Sequence, residues 1–184
     1  MTLLIIIAVI VLIGLWVISL QRGLVSKDEK CKNALSQIGV QQASRWDALT
    51  ALVELVKSYN EHEYNSLKDI IAMRKSINGN SSASDVQAQE NALAGLAKSI
   101  NVVAENYPEL KASENYGKAM DSVNLYENQV RLSRMTYNDC VTIFNRACRE
   151  FPASLVVGML GFSVRDYLDE VAGNGKSEMP SMKI

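Results

Sequence analysis

Proline and histidine are scarce in this chain. Three prolines and one histidine are spread over 184 residues, and ten glycines leave long stretches untouched. Too few turn-formers are present for a turn-rich β fold, which leaves long helices. The three cysteines, Cys31, Cys140 and Cys148, form no C-x-x-C pair and are too few for a disulfide scaffold. They read as small buried hydrophobes in a reducing compartment. Neither sign of charge dominates, because 19 Lys and Arg stand against 20 Asp and Glu. A dedicated nucleic-acid binder carries a basic excess, so that class is excluded. No G-x-S-x-G, Walker-type or G-x-G-x-x-G motif occurs either. The length fits one ordinary domain plus an appendage.

The appendage is plain. Leu3 to Leu20 reads LLIIIAVIVLIGLWVISL, with no charge, proline or amide side chain. Eighteen residues of helix span about 27 Å, close to the ~30 Å hydrocarbon core of a bilayer. A helix apolar on every face is not a surface helix of a soluble bundle, and Trp16 suits an interfacial aromatic. The run has no basic residue before it, and Ser19-Leu20-Gln21-Arg22 is not a small-x-small cleavage site. We therefore expect an uncleaved anchor at residues 1–22. Arg22, Lys27, Lys30 and Lys32 follow closely, so the positive-inside rule puts the C-terminal domain in the cytoplasm, on the inner membrane.

Residues 23–172 read as a helical domain and 173–184 as a disordered tail. Leu35, Ile38, Leu49, Leu52, Val56, Leu67 and Ile70 recur at helical spacing, with Gly39 the only glycine on the way. Asn78 to Ser82 then breaks the pattern. Ser84 and Gln87 form a capping-box signature for a second helix, with Val86, Leu93, Leu96, Ile100 and Val103 on its buried face, ending before Pro108. A third helix, capped by Ser113 and stopped by Pro152, carries a seam in four-three alternation. The seam is Tyr116, Met120, Val123, Glu127, Val130, Arg134, Tyr137, Val141, Phe144, Cys148 and Phe151. Three rods of such unequal length cannot overlap fully. A break in the first near Ser44–Asp47, with Asp47 as cap, gives four helices packed up-down-up-down. The segment 151–164 is apolar without a clean period, suited to covering one end of the bundle or touching the membrane surface.

Four stretches carry a family resemblance: NALSQIGVQQASRWDALTALVELVKSYNEHE from Asn33, NYPELKASENY from Asn106, ENQVRLSRMTYNDCVTIFN from Glu127 and FPASLVVGMLGF from Phe151. Together with the anchor they make the chain similar to the LemA family of bacterial membrane proteins. The chain departs at Ala48, Thr50 and Ala51, where the family tends to carry Leu, Pro and Asn, so a kink near Thr50 loses its cause. The resemblance implies an all-α fold, an N-terminal transmembrane helix followed by an up-and-down antiparallel four-helix bundle. It supplies no reaction.

Candidate chemistry is thin. His62, between Glu61 and Glu63, has no second imidazole to complete a bundle metal site of the Glu-x-x-His kind. A metal-dependent or acid–base enzyme centred on His62, Glu63 and Glu127 is the rival reading, and a membrane-remodelling protein inserting 151–164 is another. Tyr107, Tyr116, Tyr126 and Tyr137 sit at helical spacings and read as packing residues. Glu127 and Arg134 fall on an apolar seam and ask for partners from another helix. Arg45, Asp47 and Glu63 are the candidates, with Asn138 and Asn145 beside the same layer. Glu127 otherwise pairs with Arg131 on the surface. The expectation is a membrane-tethered, non-enzymatic scaffold or interaction module with no cofactor, no metal and no catalytic residue. Its partners are the membrane, through one span, other proteins and a second copy of itself.

Overall fold

In the computed structural model, which describes residues 1–168, the apolar run continues without a break into the first bundle helix. The tail at 173–184 lies outside the described residues. Helix α1 covers Thr2–Lys57, 56 residues and about 84 Å. Its first turns are left uncovered by the other described residues and are long and apolar enough to cross a membrane. Burial begins at Leu24 and continues along one face through Cys31, Leu35, Ile38, Leu49, Leu52 and Val56. The boundary expected at residue 22 is thus a change of surroundings inside one helix.

The break expected near Ser44–Asp47 is not there. Ser44 and Thr50 donate to the carbonyls of Val40 and Trp46, four residues back, so both hydroxyls are satisfied within an intact helix. Thr50, unlike a proline, keeps its backbone N–H and leaves the helical ladder whole. The chain turns at Ser58–Asn60 instead. Asn60 takes an extended conformation and its side chain accepts from the amides of His62 and Glu63, capping α2, Glu61–Ile71.

Helix α2 has 11 residues, about 16 Å, which is far too short to run back along α1. Non-helical chain finishes the leg. Tyr64 bonds Glu54, Arg74 bonds Asp47, Ile77 lies on Gly39, and Gly79 lies on Lys32. The falling α1 numbers trace an antiparallel return. Two glycines permit it: a Cβ on Gly39 would stand 2.1 Å from the Ile77 carbonyl oxygen, and one on Gly79 2.9 Å from that of Lys32.

Helix α3, Ala83–Asn106, starts earlier than its expected cap. The capping box is Ser82 with Asp85, not Ser84 with Gln87: the Ser82 hydroxyl accepts from the Asp85 amide and the Asp85 carboxylate from the Ser82 amide. A single turn, α4 (Pro108–Lys111), links it to α5, Glu114–Arg149, capped by Ser113. At 36 residues α5 measures about 54 Å, matching the about 51 Å of α1 from Leu24 to Lys57. The result is an up-down-up-down bundle whose second rod is half helix and half extended chain. No strand occurs among the described residues.

Two apolar clusters fill it. The one far from the N-terminal run joins Trp46, Leu49, Leu52 and Val56 to Leu67, Leu93, Leu96, Ile100, Leu110, Tyr116 and Val123. The near one joins Leu24, Cys31, Leu35 and Ile38 to Val86, Tyr137, Val141, Phe144 and Cys148. Of the expected α5 seam, Glu127 and Phe151 are corrections. The Glu127 side chain is 58% exposed, and Phe151 lies past the helix end and is 80% exposed. The 151–164 segment is a 3-10 turn at Ala153–Leu155 followed by turns, with Ala153 and Val157 packed into the near cluster.

Candidate functional site

The apolar stripes of three helices are interrupted at one level. On α1 the four-three spacing runs Ile38, Gln42, Arg45, Leu49, on α3 Val86, Glu90, Leu93, and on α5 Val123, Glu127, Val130, Arg134. The interruptions meet. One Arg45 guanidinium nitrogen donates to Glu90 at 2.6 Å and another to Glu127 at 2.7 Å. Gln42 donates to the other Glu90 oxygen at 3.1 Å and to the Val86 carbonyl at 3.3 Å. Arg45, Glu90 and Gln42 are buried, so Arg45–Glu90 is an interior ion pair, while Glu127 closes the layer from the solvent side. Below it, Arg134 is buried and donates to Gln87 on α3.

The remaining expected members lie elsewhere. Asp47 pairs with Arg74 on the surface and pins the extended leg. Glu63 sits in the first turn of α2 and makes none of the layer's contacts. Arg131 turns to Asn128, not to Glu127. Gln89, which sequence reasoning passes over, is buried and clamps the same leg: it accepts from Trp46 Nε1 and the Lys75 amide and donates to the Met73 carbonyl. Gln42, Gln89 and Glu90 were findable as polar residues standing on the apolar spacing of α1 and α3.

Asn138 and Asn145 serve a different purpose from the layer expected of them. Each uses its amide to bind both backbone groups of one residue in the segment after α5. Asn145 bonds the amide and carbonyl of Arg165 at 2.8 and 2.9 Å, and Asn138 those of Leu168 at 2.9 and 2.8 Å. Arg165 then reaches α1, where it donates to Asp28 at 2.9 and 2.6 Å. Burial disfavours the Asp28 carboxylate, but the hydrogen bonds from Arg165 and Lys32 outweigh it and hold the group below the usual carboxylate range.

These elements, Arg45 to Glu127 and the strap at Arg165, fall within one stretch that a model of known proteins recognises. The family model matching residues 34–183 is that of the LemA family. The chain belongs to the LemA family. Comparison with curated proteins finds no match. The LemA match takes in the polar layer, the asparagine clamps and, but for Asn33, the four expected blocks, and begins after the apolar run.

In this LemA-family bundle the Arg45 guanidinium is taken up by Glu90 and Glu127. His62 is exposed at the start of α2, its backbone amide held by Asn60. Among the described residues no group of three His, Cys, Asp or Glu is placed to hold a metal. The thiols of Cys31 and Cys148 are buried, and burial pushes Cys31 up to about 11, so it is a poor nucleophile.

Proposed function

We propose that this LemA-family chain is a membrane-tethered, non-enzymatic scaffold of the cell envelope that assembles or recruits other proteins. The observation carrying the proposal is the continuity of α1: one helix joins an apolar stretch that the other described residues leave uncovered to a bundle with its own closed cores. Such a helix holds the bundle beside a bilayer. The rival reading as a metal or acid–base enzyme draws no support from the placement of His62 and Glu63, since Glu127 is engaged by Arg45.

Cross-linking followed by pull-down from native membranes tests the scaffold. Recovery of defined partners or of a second copy is the expected result, and recovery of neither would remove the proposal's basis. The basic flank from Arg22 to Lys32 supports a cytoplasmic bundle. An added thiol at exposed Leu125 (Leu125→Cys) reports on this better than the native cysteines, two of which are buried. Modification by a membrane-impermeant reagent in intact cells would reverse the orientation.

A further inference from the structure

The turn region after α5 is built with two faces. In Phe151-Pro152-Ala153-Ser154-Leu155-Val156-Val157-Gly158-Met159, Ala153 and Val157 point into the near cluster, while Phe151, Leu155 and Met159 between them are 80%, 69% and 87% exposed. Large apolar side chains displayed this openly on a loop otherwise anchored in the core are unusual for a surface facing water. Their position limits what they meet. Leu20, the last residue of the apolar run, packs against the same cluster that holds Ala153 and Val157. The loop therefore sits at the level where α1 leaves the bundle.

Charge agrees with that position. Arg146 and Arg149 occupy the exposed last turn of α5 just before the loop, and exposed Arg22 follows the apolar run on α1. Against them stand Glu150, exposed, and Asp28 and Glu29, which Lys32 engages. Apolar side chains beside arginines are the composition of an interfacial segment on an anionic lipid surface.

We propose that Phe151, Leu155 and Met159 insert into the headgroup–acyl boundary of the same bilayer that receives α1, giving the bundle a second, lateral membrane contact. This rests on the tether proposed above and deepens it. A single helix fixes height over a membrane, whereas a helix and a loop together also fix which side of the bundle faces it.

The test uses the full chain reconstituted in vesicles of mixed zwitterionic and anionic phospholipid, with Cys140→Ser as background. An environment-sensitive fluorophore is placed through Leu155→Cys, through Met159→Cys or, as a water-facing control, through Leu125→Cys on the outer face of α5. Bromine on the lipid acyl chains should quench the loop labels about twofold or more over the label at 125, as a depth of ~5–10 Å requires. Equal, water-like signals at all three positions in vesicle-bound protein would overturn the loop contact while leaving the tether standing. Failure of the chain to float with the vesicles would overturn both. All three sites are exposed, so labelling does not compromise folding.

Discussion

The two ends of the bundle are closed by different means. Beyond the Arg45 layer, helices α2, α3 and α4 cover the core, and Leu67, Leu93 and Leu110 seal it with apolar contacts. On the near side, the cover over Phe144 and Cys148 is a non-helical strap held by asparagine amides and the Arg165–Asp28 pair. Apolar closure is insensitive to pH and to single polar changes. Polar closure is specific in register but depends on every donor and acceptor in it. The far end should therefore behave as the stable unit, and the near end as the part that opens first.

Removing the boundary between the two should have the largest effect. Arg45→Ala leaves Glu90 buried without its cation and should cost about 3–5 kcal/mol, read as a large drop in denaturant midpoint. The double variant Arg45→Leu with Glu90→Leu should recover much of it, because an apolar layer replaces the pair. If the single variant melts like the parent, the layer does not couple the two halves.

Gly39→Ala comes next. Its Cβ would collide with the backbone at Ile77, which cannot yield as a side chain does, so we expect about 1–3 kcal/mol of destabilisation. The signature would be faster hydrogen exchange at the Lys75 amide, which Gln89 otherwise holds. Asn145→Ala should be milder and local, about 1–2 kcal/mol for two backbone bonds lost. The Arg165 amide should exchange faster with no change around Leu93. Equal acceleration at both ends would erase the contrast between them.

Acid should distinguish the ends without mutation. The Asp28 pKa is lowered by folding, so its contribution is fully present above the unfolded value of about 3.9 and is lost as pH falls through the lower folded value. Near-end amides should lose protection in that range before far-end ones, and Asp28→Asn should remove that acid response. The smallest effect belongs to Glu127→Ala. Its side chain is mostly solvated, and the loss should be at most ~1 kcal/mol, against the larger loss that its seam position alone implies.

How much was legible follows from the kind of signal. The apolar run, most of the α5 seam, the stop before Pro108 and the cap at Ser113 were readable because periodicity and punctuation act locally. The turn at Ser58–Asn60 was not, having neither glycine nor proline. Asn60 there is one more polar residue until its side chain is seen accepting two amides. Ser84 with Gln87 matches the capping-box pattern, but the box closes two residues earlier, at Ser82 with Asp85. The extended return past Gly39 is a tertiary solution to unequal rod lengths, and no local pattern announces it. Arg45 with Glu127 was within reach, since both stand on apolar spacing. Glu90 carries the same signal, a place on the apolar spacing of α3, but a carboxylate on an amphipathic helix ordinarily faces water, so the signal is easily passed over.

Helix α1 has no swivel. No glycine–proline pair, loop or capped break separates its apolar turns from the face that carries Arg45. Under the tether proposed above, whatever inclination a bilayer imposes on residues 2–20 is inherited by the far end. A tilt of roughly 20°, ordinary for a single span, would sweep Lys57 sideways by about 17 Å over the about 51 Å above Leu24. Membrane thickness thus becomes a lever arm's input, and the outer face of α5 swings as its output.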